Sequence, residues 1–373
     1  MKNFIKTAVK IFIIFMLMVL CPHSVKAEDN TETVKNYMYF DTSKADEAAQ
    51  NTYGLSIKGT AESLIDGTFS FWEIFDIVLG QFFSDISNQI ASCKKIVGIV
   101  LICGILKSIS ISFGKKSVCE IGFFVCYMLV ILIIINSFKS ETYVVRDNIK
   151  RFGDMNTAMV PVYAAISTMT GRSISVSALA ASSIGFSSVI SFFLNMVLVP
   201  SISVCAGLEA INNVFDEDMI SSLCGFFKYI LSLCLKAIGI CFTAVLSVQR
   251  LSTGASSAFA MKAAKNITSA VPVVGDIISS SAQTVYAAGS AVGNTVAAAS
   301  IIIALVVALS PVIRLTAVFL IFKITAALTE PVAEKRITKM LNAAAEYFAL
   351  FIGVLFLSAF MFIYSSVILG AVF

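Results

Sequence analysis

Histidine is almost missing from this chain: its 373 residues hold one, His23. His23 lies in an N-terminal stretch that reads as a leader, so the remainder has no imidazole for a Ser-His-Asp triad, an H-E-x-x-H zinc helix or a haem ligand set. Charge is scarce too. Asp, Glu, Lys and Arg make up 13% of the residues, about half of the ~25% usual in soluble domains. Hydrophobic residues reach 58% and mean hydropathy is +0.89, the composition of an integral membrane protein. The nine cysteines, at 21, 93, 103, 119, 126, 205, 224, 234 and 241, include no C-x-x-C. Most sit in apolar runs, so they read as small buried hydrophobes rather than a disulfide framework or metal cluster. Gly114-Lys115-Lys116 lacks the upstream glycine and the following Ser or Thr of a phosphate-cradling loop. No cofactor, metal or nucleotide site is expected.

What is present begins with a leader. Lys2, Lys6 and Lys10 precede the uncharged run Ile11–Cys21, and Val25-Lys26-Ala27 puts small residues at −3 and −1 of a cut before Glu28. That is the layout of a secretory signal peptide over residues 1–27; an uncleaved anchor is the alternative. The excess of 27 basic over 23 acidic residues lies within this leader, since Lys2, Lys6, Lys10 and Lys26 all precede the cut. The mature chain balances to zero and gives no case for nucleic acid.

Residues 28–93 form an acidic extracytoplasmic segment followed by an amphipathic helix over 69–90. There Glu73, Asp76 and Asp85 alternate with Phe71, Ile74, Phe75, Phe82 and Phe83, and Trp72 is placed at headgroup level. Residues 94–373 are expected to be an all-α, polytopic helical bundle of about seven transmembrane helices plus a re-entrant or broken helix. The expected crossings include Ile96–Phe113, Val118–Phe138, a short piece Met155–Thr170, Ser173–Leu208, Leu223–Val248, a short run after Arg314 and Tyr347–Phe373. Residues 139–154, with four cations and three acids, read as a connecting loop. The serines at 183, 187 and 191 share a helical face, which suits either helix packing or a pore-lining hydroxyl stripe.

The interrupted element runs from Ala270 to Pro311. Pro272, Gly275, Asp276, Gly289, Gly293 and Asn294 break its hydrophobic pattern and are the candidate conduit or packing residues. Irregular backbone at membrane depth persists only where protein or a water-filled cavity satisfies it, and Gly/Pro-interrupted segments point to the working part of a transporter or channel. Asp276 has three readings: a cap for a helix starting at Ile277, a partner for Lys228, Lys236, Arg314 or Lys323, or a conduit wall. Gly289-x-x-x-Gly293 is a close-packing spacing. Gly275-Asp276 resembles the glycine–aspartate end of intramembrane aspartyl proteases, but valine replaces the first glycine and no partner aspartate is found, so catalysis is not expected.

Pro272-Val-Val-Gly-Asp276, Gly293-Asn294, Glu330-Pro331, Leu64-Ile65-Asp66-Gly67, Met159-Val160-Pro161, Val199-Pro200 and Gln249-Arg250 to Gly254 occur in an order that resembles the stage III sporulation protein AE family of endospore-forming bacteria. The resemblance covers nearly the whole chain. It implies a non-enzymatic subunit of the channel joining mother cell and forespore, seated in the mother-cell (outer forespore) membrane and needed for late forespore development. The implied partners are other stage III sporulation operon membrane and ring proteins, a secretion-type ATPase and, indirectly, a forespore membrane protein. Self-association is left open. Two rivals are weighed against this: a stand-alone secondary transporter for a small solute, and a scaffold that recruits ring proteins through its acidic segment.

Overall fold

The computed structural model describes residues 42–48, 56–66, isolated positions between 80 and 91, 93–105, 116–169, 173–212, 221–268, 274–331 and 334–370. At 45, 48, 65, 116–120, 167–169, 173–181, 249–268, 274–291, 293–294 and 368–370 it describes the backbone alone. Among these residues all regular structure is helical: α1 Ser43–Ala48, α2 Ile57–Ile65, α3 Lys116–Met169, α4 Ser173–Phe193, a π-turn Leu194–Leu198, α5 Val199–Asn212, α6 Ser221–Thr268, α7 Val274–Thr329 and α8 Lys335–Gly370. A further helical stretch covers 93–105.

Five segments are long and apolar enough to cross a membrane: Ile121–Ile166, Ser182–Asn212, Ser221–Val248, Thr295–Thr329 and Lys335–Val367. The expected seven therefore reduce to five among the described residues. The largest correction falls on α3. Val118–Phe138, the supposed loop 139–154 and the piece Met155–Thr170 are one helix of 54 residues, about 81 Å long at 1.5 Å per residue. Charge alone had suggested a loop. Yet Glu141, Val145, Asn148 and Phe152 repeat at helical spacing and are all buried, and Asp147 pairs with Arg151 one turn on at 2.7 Å, which supports a helix.

The second correction concerns 270–311, which is not broken at Gly289, Gly293 or Asn294. Its backbone is helical from Val274 to Thr329, through Pro311, so the run after Arg314 is the same helix and no separate span. Glycines cost a helix only about 1 kcal/mol each, and the flanking alanines favour it. Residues 269–273 between α6 and α7, Pro272 among them, lie outside the described residues. The turn at Glu330-Pro331 ends α7 as expected. Of the crossing Ile96–Phe113 only the helical part 93–105 is described; the leader, Trp72 and most of 69–90 lie outside.

Successive long helices alternate in direction. Phe138 stacks on Phe348 at 4.2 Å and Phe152 meets Phe362 at 6.1 Å, so α3 and α8 run parallel at constant register. Lys228–Glu346, Leu235–Gly353, Gly239–Leu357 and Ser247–Tyr364 keep α6 parallel to α8 at a sequence offset of 117–118. Gly239 and Gly353 make this approach close: a Cβ on either would stand 3.4 Å from the leucine of the other helix, the small-residue packing common between membrane helices. α7 runs the other way, with Ser300 by Met159 and Lys323 by Asn342. The spans on α7 and α8 are each 67% buried, against 22–33% for the other three, so the α7–α8 hairpin is the centre. The outer helices carry apolar side chains outward, such as Phe192, Val204 and Ile240. A helix apolar on both faces fits a lipid surround.

The two described pieces of the acidic segment, α1 and α2, pack on the bundle. Ser56 caps α2 by accepting from the Gly59 amide at 2.9 Å, and Asp46 of α1 accepts from the Ile57 amide at 2.6 Å. Ile57 and Ala61 of α2 are fully buried in the main core, with α2 against α7 and α1 against α3.

Candidate functional site

A 54-residue helix with charges in its middle must place those charges somewhere, and α3 buries one of them. Glu141 shares its face with Val145 and Phe152, and its side chain is 2% exposed. Arg314, on the antiparallel α7, reaches it: Nε donates to Oε1 at 3.2 Å and Oε2 at 3.0 Å, and a guanidinium nitrogen donates to Oε1 at 3.0 Å. The same nitrogen donates to the Ser140 hydroxyl at 3.1 Å. A planar fork meeting a carboxylate this way is strong and oriented. It locks α3 to α7 at mid-bundle.

A second set of polar groups gathers where α5 ends, α6 starts and the α7–α8 turn closes. A cavity of about 500 Å³ is lined there by Glu209, Asn212, Glu330, Lys335, Lys339 and Glu346, among others. Lys228 crosses from α6 to pair with Glu346 and lies 5.2 Å from the Tyr347 ring centre, while Lys323 donates to Asn342 at 2.9 Å. Arg336 pairs with Glu334 at 3.2 Å and covers the Phe123 ring at 4.8 Å. Three acids, Glu209, Glu330 and Glu346, and two amines, Lys335 and Lys339, thus share one cavity.

The third feature is the π-turn between α4 and α5. The Val199 amide donates to the Leu194 carbonyl, one residue beyond α-helical reach, so the Asn195 carbonyl loses that donor. Its next candidate is residue 200, a proline without an N–H. Arg146 of α3 fills the gap, donating to the Asn195 carbonyl at 3.3 Å. Beside it an apolar-walled groove of about 460 Å³ runs between α3 and α5, with Lys139, Thr142, Arg146 and Ser203 supplying polar groups. π-turns concentrate at functional positions.

The residues singled out from the sequence fare differently. Gly275 and Asp276 lie in the first turn of α7, which starts at Val274 rather than Ile277. Asp276 thus follows the cap position, where an acid still meets the positive end of the helix dipole. Gly289, Gly293 and Asn294 follow on the same helix, and all five residues are described by their backbone alone. Three of the four cations proposed as partners for Asp276 are engaged elsewhere: Arg314 with Glu141, Lys228 with Glu346, Lys323 with Asn342. Ser183 and Ser187 are buried, which favours the packing reading of their face. Gly185 borders open space instead. Of the seven cysteines described, Cys103, Cys126, Cys205 and Cys224 are buried and Cys241 is exposed. Sequence reasoning missed Glu141 because it sat in an expected loop; the available signal was an acid on the apolar stripe of Val145 and Phe152.

Long apolar helices, a buried two-helix centre and charges satisfied inside the bundle define a polytopic α-helical membrane protein. The family model described as stage III sporulation protein AE matches residues 55–372. The chain is also similar to the stage III sporulation protein AE of Bacillus subtilis (strain 168), with 24% identity over 292 residues, 74% of this chain and 70% of the relative. No solved structure matches. With the model covering nearly its full length, the chain belongs to the stage III sporulation protein AE family, which is not a known enzyme family.

Proposed function

We propose that this protein is a non-enzymatic membrane subunit of a secretion-like channel complex connecting mother cell and forespore. It sits in the mother-cell membrane around the forespore, after removal of residues 1–27 as a signal peptide. Its partners are further stage III sporulation membrane and ring proteins and a secretion-type ATPase, with a forespore membrane protein reached across the intermembrane space. The observation that carries the reading is the family match over 55–372 on a multi-span bundle. Long helices support it as well: α3, α6 and α7 have 54, 48 and 56 residues, far beyond the ~20 that cross a bilayer. They extend past a membrane, as a subunit joined to soluble partners needs. The stand-alone transporter and a conduit along 270–295 both drew on a broken helix there, and the continuous backbone of α7 from Val274 onward takes that support from both.

The test is crosslinked co-purification of a tagged copy from membranes of sporulating cells, with complex mass read on a native gel. Recovery in a large complex with an ATPase and ring-forming proteins is expected. Recovery as a lone monomer or dimer overturns the assignment.

A further inference from the structure

One exposed row of α3 changes character along its length. Ile121, Val125, Leu129, Leu132 and Ile135 are exposed and apolar, and steps of three and four residues keep them on one line of the helix. The same line continues as Lys139, Tyr143, Arg146 and Lys150, all exposed. The change from apolar to cationic falls between Ile135 and Lys139, and the groove between α3 and α5 straddles it. Ile134, Ile135 and Phe138 wall one end, and Lys139, Thr142 and Arg146 the other. α5 runs antiparallel to α3 here, since the Tyr127 hydroxyl donates to the Ala210 carbonyl at 2.8 Å and the Thr142 and Ser203 hydroxyls lie 3.0 Å apart. Ala206, Gly207 and Ala210 therefore stand at the apolar end, and Pro200 and Ser203 at the cationic end.

Small side chains keep the apolar end open. A Cβ on Gly207 would meet nothing within 4 Å, unlike one on Gly239 or Gly353, where α6 and α8 touch. Glycine weakens a helix relative to alanine, and at Gly207 no close helix contact offsets that cost. At the other end the cations lack acids: among the described residues no Asp or Glu lines the groove and Lys139 makes no ion pair. Arg146 donates to the Asn195 carbonyl, which fixes its guanidinium at the rim and leaves its other N–H groups for a ligand. Lys139 and Arg146 are two turns apart, about 10 Å along the axis. Their long side chains can reach one phosphate from either side.

We infer that this groove binds an anionic phospholipid, its phosphate between Lys139 and Arg146 and an acyl chain laid past Ile135 and Leu132. A phospholipid changes once along its length from ionic to hydrocarbon, as this row of α3 does. Guanidinium and ammonium groups hold phosphate through charge-assisted hydrogen bonds, and basic pockets between membrane helices suit anionic headgroups. The Thr142 and Ser203 hydroxyls lie in the same end of the groove. A chain of about 15 Å, half the hydrocarbon thickness, runs from Lys139 to Leu129 at 1.5 Å per residue. A free anion would use the cationic end alone and leave Ile134, Phe138 and Val204 of the wall uncovered. The site stands on groove shape and charge and is independent of the channel assignment.

The test uses the full chain purified in detergent, with bound lipid counted by native mass spectrometry after adding phosphatidylglycerol or phosphatidylcholine of identical acyl chains. Phosphatidylglycerol should bind at least about fivefold more tightly. Lys139→Gln should weaken it about fivefold, the effect of one Lys or Arg on attraction to anionic lipid, and leave phosphatidylcholine unchanged. Gly207→Leu directs its side chain into open space and should abolish the preference. A phosphatidylglycerol with a photoreactive group in mid-chain should crosslink to peptides holding 129–135 or 204–210 in wild type and not in Gly207→Leu. Denaturant unfolding at the wild-type midpoint identifies the folded variants, and Lys139→Gln, at an exposed position, carries the test if Gly207→Leu does not fold. Equal affinity for the two lipids, wild-type affinity in either folded variant, or crosslinks confined to other helices overturns the inference. So does competition by inorganic phosphate as effective as that by phosphatidylglycerol, since a free anion is then the ligand. Loss of a partner protein on Gly207→Leu with lipid binding intact gives the groove to protein and also overturns it. Selective lipid binding in a chain that purifies without partners keeps this site and removes the channel assignment.

Discussion

Removing Arg314 should be far worse than removing the Arg314–Glu141 pair as a whole. Arg314→Met takes away all three hydrogen bonds to a carboxylate that is 2% exposed, and leaving one charge of a buried pair uncompensated costs about 3–5 kcal/mol. The lower end applies, since Arg314 is 37% exposed and water already weakens the pair from its side. Glu141→Gln should cost less, because the half-exposed guanidinium it leaves can be hydrated. In the double variant no buried charge remains, and the penalty of the lone carboxylate gives way to the smaller one of an unpaired buried amide, about 1–3 kcal/mol. The assay is denaturant unfolding in detergent for wild type, both single variants and the double, closed as a cycle. A coupling energy of about 2 kcal/mol is expected, within the range for contacting residues. An Arg314→Met protein as stable as wild type, or a double variant no better than Arg314→Met, would refute the reasoning.

Two further predictions use the same unfolding measurement. Arg146→Leu leaves the Asn195 carbonyl without its donor and should cost about 1–3 kcal/mol; adding Pro200→Ala supplies an N–H and should recover part of that loss, whereas no recovery would show that Arg146 acts otherwise. Phe348→Ala empties the junction where Phe138, Phe322 and Phe351 meet and should cost about 3–5 kcal/mol, while Phe226→Ala, at a 57% exposed position, should change detergent stability little.

Composition and hydrophobic runs were enough to establish an all-helical membrane protein, because lipid leaves backbone groups few ways to be satisfied and ~20-residue apolar stretches announce themselves. The span expected over Leu223–Val248, which the structure begins two residues earlier at Ser221, the turn at Glu330-Pro331 and the family followed from local residue order alone. Continuity did not. Charges at 139–154 and glycines at 289 and 293 resemble breaks in a one-dimensional pattern, yet a helix is broken by backbone demands, and these residues impose none that α3 or α7 cannot meet. Only packing reveals that Glu141 faces a guanidinium 173 residues away, or that Arg146 supplies the hydrogen bond Pro200 withholds. A residue's own sequence neighbours carry no record of which distant helix stands at its height, and that height decides whether a charge meets water, lipid or its partner.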